Sequence, residues 1–263
     1  MAPATTERAL VLVKAFPQPS QKYEETVCCA GITPAGQFVR LYPVRYRRLK
    51  AEQRFNRWDV IEYEAIAPAN DRRPESRHVD EESIRIVQTA AHLSEASRVG
   101  LWANHVSVSQ AALKESNAAL GTSLGVIKPD EGSLHFRARK LAAGSSEARQ
   151  IASDFKQVSL IDSEALTALQ VEYEFSYRFT CAGAKHDMKI HDWEVQAAYL
   201  AYKRRYGATA LETLKSEYQE RIPARNLHFV MGTMAAHPKT FIIIGLLRSC
   251  VDPEDVERQS SLL

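Results

Sequence analysis

The sequence predicts an α+β fold: a β-rich, barrel-like N-terminal module, then helices, then a C-terminal mixed α+β module. Three observations carry this expectation. Short runs of β-branched and aromatic residues fill the stretch from Ala9 to Val87. The hydrophobic period turns helical between Leu93 and Ser116. The C-terminal part combines one strictly alternating strand with two helix patterns and two apolar runs.

Taken in order, ALVLVKAF, ETVCCAGIT, QFVRLYPV and WDVIEYEAI read as strands, separated by FPQPSQ, TPAG and, after the last, PANDRRP. TPAG predicts a hairpin in which Gly36 supplies the position free to take positive φ. RYRRLKAEQRF, between two strands, predicts one or two helical turns, and strands with such an insertion predict a small curved barrel or half-barrel. Ser94 is placed to cap a helix bearing Val99, Trp102 and Ala103, and a second helix follows Ser109. SLGVIKP and SLHFRARK are strand-like, and GSSEARQIASDF reads as a helix entered through Ser145 or Ser146.

In VEYEFSYRFT, Val171, Tyr173, Phe175, Tyr177 and Phe179 alternate with Glu172, Glu174, Ser176, Arg178 and Thr180, the pattern of a strand with one wet face. HDWEVQAAYLAYKRRYG predicts a helix with Asp192 as N-cap, Lys203, Arg204 and Arg205 in its last turns and Gly207 as its stop. Thr209 and Glu212 have capping-box spacing for a further helix, with Leu211, Leu214, Tyr218 and Ile222 on one side. LHFVMGTM and TFIIIGLLRS close the fold through AAHPK, and the continuous apolar run of TFIIIGLL predicts a central strand covered on both faces. The organisation expected is a β-rich module over 1–90, a mainly helical connection over 91–165, an α+β module over 166–250 and a flexible tail over 251–263.

Composition narrows function. A net charge of +2 and a pI near 8.3 exclude a global field that would draw the whole molecule onto a polyanion, so any such affinity has to be local. Four cysteines without a CxxC spacing argue against a disulfide framework or a zinc ribbon and fit a reducing compartment. No apolar run approaches the roughly 20 residues of a membrane span, and the N-terminal run Ala9–Val13 is too short for a signal, so the expectation is a cytoplasmic protein without a membrane partner. The absence of a phosphate-cradling Gly-rich loop, a GxSxG elbow and a dinucleotide fingerprint argues against nucleotide-dependent motors, hydrolases of that type and dehydrogenases.

Local clustering does occur. Between Phe38 and Trp58 stand Arg40, Arg45, Arg47, Arg48, Lys50, Arg54 and Arg57, seven cations opposed only by Glu52. Phe38, Tyr42, Tyr46, Phe55 and Trp58 are interleaved with them. Guanidinium forks suit phosphate and stack on bases, and rings beside cations suit single-stranded or distorted nucleic acid. The expected nucleic-acid contacts are Arg40, Tyr42, Arg45, Tyr46, Arg47, Arg48, Lys50 and Arg57, with Arg72, Arg73 and Arg77 as an extension. The alternative is a solvated cationic turn paired with Glu24, Glu25, Glu62 and Glu64 over a core of Phe38, Leu41 and Val44.

A second cluster, TCAGAKHDMKIHDWE, offers Cys181, His186 and His191 as ligands for a divalent metal (Zn, Mg or Mn) and His186, His191, Asp192 and Glu194 as candidate catalytic groups. The spacing matches no zinc motif, and the competing reading makes Asp192 an N-cap, Trp193 an anchor and the histidines a polar edge. His228, His237 and the stripe Val195, Tyr199, Tyr202 and Tyr206 read as structural. The function expected is nucleic-acid binding, extended to a metal-assisted nuclease if the second cluster is catalytic. The alternatives are a non-catalytic nucleic-acid-binding subunit of a larger complex, with a protein partner or as a homo-oligomer, and an enzyme acting on a small anionic substrate.

Overall fold

Five of the N-terminal strands close on themselves. A computed structural model describes residues 4–18, 26–44, 49–68, 71–142, 172–234 and 237–251. The chain divides into two units, Met1–Leu93 with Lys140–Glu174, and Ser94–Arg139 with Phe175–Leu263. Ser94–Arg139 falls in the same unit as the C-terminal residues.

In the first unit, β1 (Thr5–Gln18), β2 (Thr26–Ile32), β3 (Phe38–Tyr42), β4 (Val60–Ile66) and β5 (Ser76–Gln88) form a closed barrel in the order β1-β2-β3-β5-β4. Every neighbouring pair is antiparallel except β3 and β5, which run parallel through Arg40↔Ser76, Leu41↔Arg77 and Tyr42↔His78. Register shifts in β1 at Val11/Val13 and Lys14/Pro17 supply the bend that closure of so small a sheet demands. The TPAG hairpin forms as its residues dictate: Gly36 takes φ 76°, and its N–H donates to the Thr33 carbonyl at 2.9 Å. Leu10, Leu12, Ile32, Val39, Leu41, Ile61, Tyr63 and Ile84 are buried, each worth about 1.5–3 kcal/mol in apolar area removed from water.

Among the described residues of RYRRLKAEQRF, Ala51–Gln53 forms one 3₁₀ turn. Buried Gln53 ties this turn to β5 by sharing its amide N–H groups among the carbonyls of Glu81, Glu82 and Ile84 at 3.2, 3.0 and 3.1 Å.

The second unit holds α1 (Glu95–Trp102), β6 (Val106–Ser107), α2 (Gln110–Leu120), β7 (Leu124–Ile127), β8 (His135–Lys140) up to Arg139, β9 (Tyr173–Cys181) from Phe175 onward, and β10 (Ala184–Lys189). It continues with α3 (Trp193–Tyr206), α4 (Ala210–Ser216), β11 (His228–Met234) and β12 (His237–Leu247). Ser94 and Ser109 cap α1 and α2 by accepting from the Ser97 and Ala112 N–H groups, each at 3.0 Å. The strands form two sheets, β12-β11-β7-β6 and β10-β9-β8. Phe175, Tyr177 and Phe179 of β9 turn inward, and their rings meet Phe136, Phe229 and Tyr199 at centroid distances of 4.9–5.8 Å. The Tyr177 hydroxyl donates to the Tyr218 carbonyl at 2.6 Å, which satisfies a polar group inside this aromatic core.

Two expectations are corrected. TFIIIGLL, in β12, pairs at the end of its sheet and not at the centre. Its apolar character follows from a cover over that edge: Ile190 bridges to Ile243, the His191 N–H donates to the Ile243 carbonyl at 2.7 Å, and the Leu246 N–H donates to Asp192. No capping box forms at Thr209, whose hydroxyl donates to the Tyr206 carbonyl at 3.1 Å and is thereby turned away from α4. The helix expected in GSSEARQIASDF, the tail beyond Val251, Val171 and the first two residues of AAHPK lie outside the described residues. Among the described residues, no helix is long and apolar enough to cross a membrane.

Candidate functional site

The segment joining β3 to β4 starts on a strand. Val39 and Leu41 point into the barrel, and Arg40 is set on the opposite side by the strand's alternation. Arg40 is nevertheless only 4% exposed. This corrects the expectation that it is displayed for a ligand: a residue can face away from a barrel's interior and still be covered. Tyr42 is half-buried and Lys50 exposed, while Arg54 is half-buried and donates its Nε to the Leu49 carbonyl at 3.2 Å. Phe55 is core. Arg45, Tyr46, Arg47 and Arg48 lie outside the described residues.

The segment ends in a pinned turn. Buried Asp59 accepts from the Asn56 N–H at 2.7 Å with one carboxylate oxygen and from the Ala90 N–H at 2.8 Å with the other. The Trp58 N–H donates to the Val11 carbonyl at 2.8 Å, and the Val11 N–H donates to that of Asp59 at 2.9 Å. These bonds hold Trp58 at φ 71°, a conformation that costs a bulky residue about 1–3 kcal/mol and persists only where the surroundings over-determine it. The result is a half-buried indole with the Arg57 guanidinium 4.9 Å from its ring centroid.

The arginines expected to extend this surface divide. Arg73 bonds Asp71 at 2.8 Å through Nε, and Arg77 bonds Glu7 at 2.8 Å, so both are engaged within the barrel; Arg72 is exposed. Burial alone would raise the Asp71 carboxyl, but hydrogen bonds from Arg73 and Ser76 outweigh it and hold the group at about 2.

In the second unit the Cys181–Glu194 stretch divides in the same way. Cys181 ends β9 on its inward face, 1% exposed, and burial pushes its thiol up, which is the state of an inert structural cysteine. His186 stands opposite Phe179 on β10, with ring centroids 5.0 Å apart, and burial together with nearby Lys114 pushes its pKa down. Asp187 faces outward and accepts from Arg137 Nη1 at 2.6 Å and Arg178 Nε at 2.9 Å, bonds that hold its carboxyl below the usual range.

Asp192 is 3% exposed, and both of its oxygens are taken by the backbone: one caps α3 through the Glu194 N–H at 2.9 Å, the other accepts the Leu246 N–H at 2.9 Å. His191 and Glu194 are half-buried. The fold thus sets Cys181 and His186 on one face of the β9–β10 hairpin and commits Asp192 to architecture. Among the described residues, no three His, Cys, Asp or Glu side chains are grouped to hold a metal ion.

Asp130 is the member of this corner that sequence reasoning missed. Its oxygens accept the N–H groups of Ala182 and Gly183 at 2.9 and 3.0 Å, fixing the turn between β9 and β10 where both residues have positive φ. Hydrogen bonds from Thr180 and from these N–H groups hold its carboxyl low. The only trace in the sequence is an aspartate in a Pro–Gly turn, KPDEGS. His228 is buried against Trp102, centroids 5.0 Å apart, whereas His237 is exposed.

A closed five-stranded barrel of order β1-β2-β3-β5-β4, parallel only at β3–β5 and carrying a helical turn between β3 and β4, has the topology of the OB-fold. Residues 5–104, which contain it, match a family model described as Domain of unknown function (DUF8758), and residues 104–262 match one described as Domain of unknown function (DUF8757). The second match spans more than half of the chain, so the chain belongs to that DUF8757 family. No curated protein matches it.

Proposed function

We propose that this is a nucleic-acid-binding protein whose barrel unit takes single-stranded or distorted strands through the β3–β4 segment. The observation that carries the reading is the coincidence of two features. The barrel has the strand order of the OB-fold, an architecture that recurs in oligonucleotide binding on the face of its second and third strands, and the stretch from Phe38 on β3 to Trp58 holds seven cations against one carboxylate, Glu52. Lys50, Arg57 and the ring of Trp58 supply phosphate contacts and a stacking surface, with Tyr42 beside them in sequence, and the arginines at 45, 47 and 48 belong to the same segment.

Binding without cleavage is the form of the proposal we favour. Asp192 has its oxygens on backbone donors, Asp187 is shared by two arginines, and the Cys181 thiol is pushed up. None of the three is poised to move a proton or to activate water.

Fluorescence anisotropy with a labelled single-stranded oligonucleotide tests the reading. Log affinity should fall with log salt at a slope of about −2 to −3, as expected when three or four phosphates are neutralised on a single strand. Affinity indifferent to salt overturns the proposal. Incubation with Mg²⁺, Mn²⁺ or Zn²⁺ should leave the oligonucleotide intact, and cleavage abolished by His186→Ala would restore the nuclease alternative.

A further inference from the structure

A second cationic surface lies in the other unit, outside the segment just described. β9 sends Phe175, Tyr177 and Phe179 into the core, so Ser176, Arg178 and Thr180 must face the other way. The register places Lys185 opposite Thr180, Asp187 opposite Arg178 and Lys189 opposite Ser176. On β8, Phe136 is buried, which turns His135, Arg137 and Arg139 to the same wet side, and the ion pairs from Arg137 and Arg178 to Asp187 agree with the three strands sharing this face.

The face therefore carries Arg137, Arg139, Arg178, Lys185 and Lys189, all exposed, with Asp187 and Glu174 as its acids. Arg178 and Arg137 are 61% and 44% exposed in their side chains. One oxygen of Asp187 holds both, Arg178 by Nε and Arg137 by Nη1, so the remaining N–H groups of each fork are directed by a fixed anchor. An exposed ion pair of this kind contributes little stability, at most about 1 kcal/mol. Its effect is to order two guanidiniums side by side.

We infer that the outer face of the β8–β9–β10 sheet is a second nucleic-acid contact, one that grips the phosphodiester backbone. Residues two apart on a strand recur every ~6.7 Å, a spacing comparable to that between successive phosphates of an extended strand. The outward positions of the three strands carry no Phe, Tyr or Trp among the described residues from Phe175 and His135 onward, so bases have no large ring to stack on and the grip is independent of sequence. It differs from the barrel segment, where rings accompany the cations, and does not depend on that segment being a binding site.

The test uses the full chain, a labelled single-stranded deoxythymidine oligonucleotide and a KCl titration. Arg137→Gln with Arg178→Gln should lower affinity and make the salt slope shallower by about 1.4, since each phosphate left without its cation on a single strand accounts for about 0.7. Asp187→Asn, which keeps an oxygen to accept from both forks and removes only the opposing charge, should act in the opposite sense and tighten binding about two- to threefold, a gain that misfolding cannot imitate. An unchanged slope in the double variant, or unchanged or weaker binding in Asp187→Asn, overturns the inference, as does a wild-type chain that binds no oligonucleotide. Uptake by phosphatidylserine-containing vesicles with Arg137 and Arg178 dependence, in place of oligonucleotide binding, would also overturn it and make the face a lipid contact. Failure of the barrel reading shows separately, as oligonucleotide binding insensitive to Lys50→Ala with Arg57→Ala.

Discussion

The β3–β4 segment of the barrel and the outer face of the β8–β9–β10 sheet are both rich in cations, and they are built differently. In the first, arginine and lysine alternate with rings, and buried Asp59 fixes a turn that holds Trp58 at positive φ beneath Arg57. In the second, charged residues stand at alternating positions of β10 and part of β8, with Arg178 on β9 between them, and an exposed Asp187 spaces two guanidiniums. Cations with rings can bind phosphate and a base together, whereas cations alone answer only to the backbone charge. The two surfaces should therefore respond differently to salt and to the loss of a ring.

Aspartates provide the strongest way to break the comparison. Asp192→Ala should destabilise the second unit by about 2–4 kcal/mol, because it removes an N-cap and strands the buried Leu246 N–H. Urea unfolding would show this, and the protein that remains folded should bind oligonucleotide as before. Asp187, five residues away and outward-facing, should give the reverse: no stability change of note and altered binding.

The next effect in size belongs to Trp58. Trp58→Gly relieves the positive φ while deleting the ring, so affinity for a single strand should fall about tenfold, from a stacking contribution of about 1–3 kcal/mol, with the salt slope unchanged. A slope that changes along with the affinity would mean the ring acts by placing cations and not by stacking.

A smaller effect concerns pH. The Asp71 carboxyl, held at about 2 by Arg73 and Ser76, lies below its unfolded value near 4. Its pairing therefore stabilises the barrel above pH 4 or so and is lost as pH falls towards 2. Acid titration of Asp71 by carboxyl-resolved NMR should show that low midpoint, and Arg73→Ala should return it to the ordinary range. Smallest in its consequences, the Cys181 thiol, pushed up by burial, should react with iodoacetamide far more slowly at pH 7.5 than exposed Cys250.

Much of the fold was readable because its signals are local. The strand runs, the turn at Gly36, the caps at Ser94, Ser109 and Asp192 and the stop at Gly207 each depend on residues within a few positions of one another. What was hidden depends on distant partners. Closure through the parallel β3–β5 pair brings residue 40 beside residue 76, and the burial of Arg40 depends on what covers it from elsewhere. The apolar run in β12 resembled a central strand because a covered edge is as dry as a sheet centre. Of the candidate site, the cation–ring composition of the β3–β4 segment was legible, but the pinning of its turn by Asp59, the role of Asp130 and the pairing of Asp187 with two arginines were not. A carboxylate's partners are set by the register of strands and not by its neighbours in sequence.

Photo-cross-linking reaches the central claim most directly. The protein is irradiated with a single-stranded oligonucleotide carrying 5-iodouracil, and the adducted peptides are sequenced. Adducts within the stretch from Tyr42 to Trp58, at Tyr42, Tyr46 or Trp58, are the predicted result. Adducts formed efficiently elsewhere on the chain, with none in that stretch, would contradict it.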